Sequence, residues 1–231
     1  MNKTDKIIAQ ARKEKRKVLL EPEAKAICLE YGISVTKFNV AKSEKEAAEF
    51  AEQIGFPVVL KIVSPEIIHK SDAGGVKVNL KNPEEVKSAY KAILQGAKKY
   101  NPKASIVGVL VQEMAPQSTE VIIGAVKDPQ FGQTLMFGLG GIFVELLKDV
   151  TFRIAPITEQ DATDMIAGVK AYPLLKGYRN TPPADTQAIT NLLLCTSKLV
   201  MEHPEIKEID LNPIMAYEKG AKTVDARIIL E

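Results

Sequence analysis

Apolar residues near the start of the chain recur every three or four places among Lys, Glu and Ala, the spacing of helices with one buried face. Pro22 opens the second of these patterns and Gly32 stops it, so two helical patterns are expected within residues 3–30, the first over 3–17. The run Ile33-Ser34-Val35-Thr36-Lys37-Phe38-Asn39-Val40 reads as a strand. In Ser43-Glu44-Lys45-Glu46 the outer pair has the spacing of a capping box, each side chain answering the other's backbone N–H, which predicts a helix to Ile54. Gly55-Phe56-Pro57 ends it, and residues 57–63 form a β-branched strand. The polar stretch 64–75 holds Pro65, His69, Asp72, Gly74 and Gly75 and leads into an alternating strand at 76–80. Asn82-Pro83-Glu84-Glu85 sets Asn at the N-cap, Pro at the first helical position and acids in the first turn of a helix reaching about Lys99. Strands follow at 106–113, 120–126, 134–138 and 151–157, helices at 158–169 and 186–202, and strands at 206–217 and 223–229. The alternation predicts a mixed α and β fold with antiparallel hairpins in its second half, without internal repeats or low-complexity linkers.

Composition narrows the function classes. With 45% apolar and 26% charged residues among 231, the chain is long enough for one large domain or two small ones. Lys and Arg number 31 against 29 Asp and Glu, and a net charge of +2 gives no argument for nucleic acid or a membrane surface as partner. No apolar run approaches the roughly 20 residues of a membrane span, and Met1-Asn2-Lys3-Thr4-Asp5-Lys6 is charged where a signal peptide is apolar; a cytoplasmic location is expected. Cys28 and Cys195 lie far apart on apolar helical stretches, which suits reduced thiols. Only His69 and His203 are present, which removes any site built on several imidazoles. The basic run Arg12-Lys13-Glu14-Lys15-Arg16-Lys17 reads as a solvated helix face rather than a phosphate patch.

The familiar phosphate loops are missing, since there is no GxxxxGK[ST] and Gly138-Leu139-Gly140-Gly141 lacks the GxGxxG spacing. Lys61, inside Val58-Val59-Leu60-Lys61-Ile62-Val63, places an ammonium where its neighbours want burial. It either meets a partner such as a phosphate or reaches out to solvent from an exposed edge. Gly74 and Gly75 give the following loop a backbone able to turn N–H groups toward an anion, with Lys70, Ser71 and Asp72 nearby. His69 beside them is either a phosphoryl acceptor or an ordinary surface histidine. Glu113 and Glu120 stand seven apart at the ends of two strands, forming either a nucleotide hinge or a hairpin with charged ends. Asp210 and Asn212 share a strand face, and Asp225 could meet Asn212 on a neighbouring strand. Oxygen ligands so few in number suit Mg²⁺, while Asn212-Pro213 could equally be a turn. Arg153, in an apolar strand, meets either a phosphate or a structural acid.

Taken in order, Lys61, the run His69-Lys70-Ser71-Asp72-Ala73-Gly74-Gly75-Val76, the pair Glu113 and Glu120, Asp210-Leu211-Asn212-Pro213 and Val224-Asp225-Ala226-Arg227 resemble an ATP-grasp domain. Pro57 through Val76, including Lys61-Ile62-Val63-Ser64-Pro65, and Lys127-Asp128-Pro129-Gln130-Phe131-Gly132 running into the stretch 137–145, are similar to the β subunit of archaeal ADP-forming acetyl-CoA synthetase (acetate–CoA ligase), itself related to the succinyl-CoA synthetase β chain. The resemblance covers the whole chain. It implies a fold of two α+β subdomains with the nucleotide between them, the smaller spanning about 32–112 and the larger 1–31 with 113–231 and the metal site.

The same resemblance implies roles. Lys61, with Gly74 and Gly75, would hold the phosphates of ATP or ADP, Glu113 and Met114 would mark the adenine hinge, and Glu120 would bind ribose. Asn212 and Asp225 would hold Mg²⁺. A CoA-binding α subunit would carry a phosphohistidine, His69 would receive its phosphoryl group and pass it to ADP, and Asp210 would orient the incoming phosphohistidine. The stretch 138–145 is a family signature with no role derivable from its residues. The family's CoA-binding domain and acyl site lie on the α subunit or on the first half of fused synthetases. Action with a partner is therefore expected, in an α2β2 heterotetramer, with a fragment of a fused enzyme as the other origin. Two rivals differ in class: a stand-alone ATP-grasp ligase making an acyl phosphate, and a nucleotide-binding module without catalysis.

Overall fold

Asn2 accepts from the Asp5 N–H and Asp5 accepts from the Asn2 N–H, a reciprocal cap that starts α1 (Lys3–Lys13). The structure, a computed structural model, describes every residue except 1, 142, 143, 145, 180 and 181. Packing divides the chain into a smaller unit, Leu20–Pro22 with Thr36–Ala115, and a larger unit formed by the residues up to Leu19, Glu23–Val35 and Pro116–Glu231.

In the smaller unit β1 (Phe38–Ala41), β2 (Val58–Val63), β3 (Val76–Leu80) and β4 (Gly108–Glu113) form one antiparallel sheet in the order β1-β4-β2-β3. Helices α3 (Glu44–Ile54) and α4 (Pro83–Tyr100) supply the other half of its core. Val58, Leu60 and Ile62 of β2 and Val109 and Val111 of β4 meet Ala47 and Ala51 of α3 and Val86, Tyr90, Ile93 and Ala97 of α4. Each Val, Leu or Ile side chain so buried contributes about 1.5–3 kcal/mol. Asn82 caps α4 and Pro83 begins it, as the spacing predicts. The expected box at α3 is only half made. Ser43 accepts from the Glu46 N–H at 3.1 Å, but the Glu46 carboxylate reaches back one residue further, to the Lys42 N–H at 2.7 Å.

The larger unit holds a second antiparallel sheet, β10-β8-β5-β6-β7, built from β5 (Thr119–Asp128), β6 (Gly132–Leu139), β7 (Val150–Ile154), β8 (Ile206–Ala216) and β10 (Ala226–Leu230), with β9 (Ala221–Thr223) also paired to β8. Helices α5 (Glu159–Gly168) and α7 (Thr186–Glu202) pack on it, burying Ala162, Met165 and Ile166 from the first and Ile189, Leu193, Leu199 and Val200 from the second. A short helix, α6 (Tyr172–Leu175), was not expected from the pattern. Helix α2 (Glu21–Glu30) ends at Glu30, whose carboxylate accepts from the Thr4 hydroxyl at 2.6 Å and so ties α1 to it.

Several expected elements are corrected. Of residues 33–40 only Phe38–Ala41 is a strand; Ile33 and Val35 are buried, but Val35 makes a single parallel bridge to Thr223. The strand expected at 223–229 is two pieces, because Pro213 opposite it has no N–H with which to continue the ladder. The basic run 12–17 is not wholly solvated: Arg16 is largely buried and forks onto both oxygens of Glu23, at 2.8 and 2.9 Å. The smaller unit also takes in Leu20–Pro22, which the expected boundary of about 32–112 leaves out, because Glu21 pairs with charges of that unit.

Two outcomes follow from this packing. Asp185 caps α7 by accepting from the Ala188 N–H at 2.9 Å and also holds the Gly220 N–H at 2.8 Å; the Gly220 bond and then the Ala188 bond keep its carboxyl below the ordinary aspartate value. Asp185→Ala is expected to lower the unfolding free energy by about 1–2 kcal/mol in denaturant titration near neutral pH. A lowered pKa stabilises above the unfolded value and is lost as pH falls through the folded one, so the gap between the two proteins should close in acid. Cys28 is fully buried, and burial pushes its thiol up to about 12, against a weaker pull from Lys25. Iodoacetamide at pH 8 should therefore label the part-exposed Cys195 first and Cys28 only as the chain unfolds, read by peptide mass.

Candidate functional site

Every position of β2 is buried, and Lys61 is only 6% exposed. It lies on the strand face opposite Leu60 and Ile62, away from α3 and α4. Burying an ammonium there requires an ionic partner. Glu21 is one: its Oε1 accepts from Lys61 Nζ at 2.8 Å, and its other oxygen, Oε2, accepts from Lys70 Nζ. The solvent-reaching alternative for Lys61 is thereby set aside. Glu21 was not singled out from the sequence, although an acid directly after Val18-Leu19-Leu20, in a chain with a lysine inside an apolar strand, is the signal that could have found it.

The loop 64–75 is fastened at several points. Ile67 (1% exposed) and Ala73 (4%) enter the core of the smaller unit on either side of His69. The Gly75 carbonyl accepts from the Ile62 N–H and the Gly75 N–H donates to the Lys70 carbonyl, both at 2.7 Å. The Gly74 N–H donates to the Ser71 carbonyl at 3.0 Å. Both glycine N–H groups thus serve the loop itself, which corrects the expectation that they face an anion. What the glycines supply is space and a left-handed turn: Gly74 has φ +62°, and a Cβ on Gly75 would come within 2.5 Å of Ile62 Cγ2 and 2.9 Å of the Lys70 oxygen. The result is an exposed His69 imidazole on a loop that is anchored on both sides of it.

At the end of β4, the Glu113 carboxylate accepts from the Lys37 N–H at 2.7 Å, and the Met114 N–H donates to the Pro57 carbonyl at 3.2 Å. These two hinge candidates are therefore already bound into the edge of the smaller unit.

The acids of the larger unit come together where its ladder breaks. Asp210 on β8 lies opposite Arg227 of β10 and opposite Gly124 of β5. Two residues on, the Asn212 N–H donates to the Asp225 carbonyl at 3.3 Å, and the Val224 N–H donates to the Pro213 carbonyl at 2.9 Å, so Asp225 is held beside Asn212 in the gap between β9 and β10. Burial pushes the Asp210 carboxyl above the ordinary aspartate value; Arg227 opposes this, while Glu208 and Asp225 add to it. Arg227 is itself held by Glu208 at 2.6 Å. Among the described residues no three or more His, Cys, Asp or Glu side chains gather as a metal cage. A carboxylate with an amide oxygen is the small, hard donor set that fits Mg²⁺ carrying further ligands of its own.

Glu120 is exposed on β5, four residues before Gly124 and so on the same sheet face as Asp210. Its carbonyl accepts from the Gly140 N–H at 2.8 Å, and a Cβ on Gly140 would come within 2.9 Å of its own Cβ. This gives part of the stretch 138–145 a packing role; residues 142, 143 and 145 of that stretch lie outside the described ones. Arg153 sits 4.0 Å from Asp161, the structural ion pair of its two readings. His203 is buried, with Nε2 2.7 Å from the Tyr31 hydroxyl, which also donates to Glu202 at 2.7 Å.

Two antiparallel sheets with helices, a buried strand lysine in one unit and a small set of side-chain oxygens at a break in the other's ladder define a protein of the ATP-grasp class. The family model described as an ATP-grasp domain matches residues 10–230, and the chain belongs to that family. Its relatives within that family include β subunits of ADP-forming acetate–CoA ligases. The chain is 55% identical over 228 residues to the β subunit of acetate–CoA ligase (ADP-forming) I of Pyrococcus furiosus, covering 99% of this chain and 98% of that one. It is 55% identical to acetyl-coenzyme A synthetase 1 of Ca. Korarchaeum cryptofilum, solved with coenzyme A, Ca-AMPCP and HgCl+, with a TM-score of 0.96 over 99% of this chain and 100% of that chain. A further structure of that enzyme, holding coenzyme A and Mg-AMPPCP with its phosphohistidine segment pointing towards the nucleotide binding site, matches at 51% identity and a TM-score of 0.88, over 99% and 100% of the two chains.

The anchoring of the loop can be tested at its tightest point. Gly75→Ala places a methyl against backbone that cannot retreat without breaking the Gly75–Lys70 bond, and is expected to cost about 1–3 kcal/mol in urea titration. Wild-type stability would show that the loop is free to shift.

Proposed function

We infer that this chain is the nucleotide-handling subunit of an ADP-forming acyl-CoA ligase and works with a CoA-binding α subunit in an α2β2 assembly. The net reaction is acetyl-CoA + ADP + phosphate to acetate + ATP + CoA. His69 takes a phosphoryl group from the partner's phosphohistidine and hands it to ADP: each step breaks one P–N bond and forms a bond from the accepting atom to phosphorus. The observation that carries this reading is the exposed His69 imidazole on a loop fixed at Ile67 and Ala73. A neutral ring held in place is what nitrogen attack on phosphorus needs.

Lys61 holds the nucleotide phosphates as a buried positive charge, which counts for more than a solvated one because little water competes with it. Asn212 and Asp225 would hold Mg²⁺, which when bound would further neutralise phosphate charge. Asp210 orients the partner's phosphohistidine by accepting from its ring N–H. Glu120 suits the ribose: it shares a sheet face with Asp210 and stands four residues, roughly 14 Å, along β5 from the position opposite it. That is the order of length of an extended nucleoside diphosphate. Glu113 and Met114 mark the adenine edge with backbone that Lys37 and Pro57 hold still. Among the described residues no helix is long and apolar enough to cross a membrane, and two thiols without a disulfide suit the reducing cytoplasm, where we place the enzyme.

The test supplies the α partner, acetyl-CoA and ³²P-labelled phosphate and follows label on this chain. His69→Ala is expected to remove that label and to lower turnover by at least about a thousandfold. Nucleotide affinity should stay within about threefold of the parent's, since the ring is not a phosphate ligand. Unchanged turnover would sink the relay.

A further inference from the structure

The buried charge group of the smaller unit holds an acid to which none of the roles above gives a part. Glu21 is 6% exposed, and each of its carboxylate oxygens accepts from a different lysine: Oε1 from Lys61 and Oε2 from Lys70. Lys70 follows His69 directly in the chain, and its carbonyl accepts from the Gly75 N–H, while the Gly75 carbonyl accepts from the Ile62 N–H. Ile62 follows Lys61. The contacts therefore close a ring that runs from Lys61 through Ile62, Gly75, Lys70 and Glu21 back to Lys61. Three of its links are hydrogen bonds or ion pairs of 2.7–2.8 Å, and the fourth is the Lys70–Glu21 pair. The phosphate lysine and the residue beside the acceptor histidine are two corners of that ring.

We propose that Glu21 is a positioning residue for phosphoryl transfer: its carboxylate bridges Lys61 and Lys70 and so sets where the His69 end of the loop stands relative to the phosphate-holding ammonium. This rests on the roles given above to Lys61 and His69. A single ammonium–carboxylate pair would satisfy Lys61 alone; the second oxygen is what makes the acid a link between two chain segments. Transfer rates are sensitive to such placement, because a misplacement of about 1 Å costs on the order of a hundredfold even when every reacting group is present.

The experiment uses the chain assembled with its α partner and follows ³²P label on His69 and the ADP dependence of turnover. Glu21→Gln keeps the shape of the acid and removes its charge. Label should appear on His69 at least about tenfold more slowly, as a loss in kcat, and Glu21→Asp, which restores the charge on a shorter arm, should recover part of it. Lys70→Met breaks the loop side of the bridge and leaves the Lys61 side in place. It should reproduce the slow labelling while ADP affinity, read by calorimetry, stays within about threefold, because the Lys61–Glu21 pair remains. In both variants the Gly75 amide should exchange its hydrogen faster than in the parent.

If Glu21→Gln fails to fold, Lys70→Met decides the matter, since Lys70 is the more exposed partner of the bridge. Parent-like labelling in a folded Glu21→Gln or in Lys70→Met overturns the role of Glu21 and leaves the relay intact. A rise in KM for ADP with unchanged kcat in both variants also overturns it, because it would make Glu21 a support for Lys61 alone. Absence of label on His69 in the unaltered chain overturns the relay itself and the present inference with it.

Discussion

A cation inside a strand that is buried at every position is the constraint around which the smaller unit is arranged. Lys61 can keep its charge only if the fold brings a carboxylate to it, and the carboxylate comes from forty residues earlier in the chain, at the start of α2. That demand draws Leu20–Pro22 into the smaller unit although the residues on either side belong to the larger one. It also leaves one oxygen of Glu21 for Lys70, and with it a hold on the loop that carries His69. Fold and chemistry here share one electrostatic requirement, since the charge that has to be stabilised in the interior is the charge a phosphate would meet.

The larger unit solves a different problem with a missing donor. Pro213 interrupts the β8 ladder, and the two residues facing the interruption, Val224 and Asp225, take backbone bonds to Pro213 and Asn212 instead of belonging to a strand. Asp225 is thereby fixed beside Asn212 without being part of the regular pleat. Asp210, two residues back, remains within the ladder and feels the charges of Glu208 and Asp225 alongside that of Arg227. An oxygen-rich patch arises where the sheet's own hydrogen bonding stops.

Much of this was legible from the residues. Periodicity and caps located α4 and α7 and most strands, because Asn82-Pro83, the long apolar face of 186–202 and the β-branched runs all act locally. The lysine at 61, the histidine at 69 and the acids at 210 and 225 could be marked because each residue type conflicts with, or punctuates, the pattern around it. What could not be read were facts of long range. The partner of Lys61 lies far off in sequence, the reach of Glu46 to Lys42 depends on how the chain enters α3, and Arg16 looked solvated because its fork onto Glu23 needs the turn after α1. The glycines at 74 and 75 were rightly seen as conformational, but a pattern of letters does not tell which carbonyl an N–H will find, and theirs are inside the loop.

The ring that passes through Ile62, Gly75, Lys70 and Glu21 is closed partly by covalent chain and partly by hydrogen bonds, and such a ring has a fixed circumference. Between Lys70 and Gly75 the intervening residues must span one particular gap, so the exposed side chains of Ser71 and Asp72 are free to vary while the number of residues is not. A single residue inserted or deleted there would move the glycine carbonyl off Ile62 or the ammonium off Glu21. The loop is thus metrically constrained while remaining open to change in chemistry. Evolution or design could recolour the surface around His69 by substitution alone, and would have to leave its length untouched.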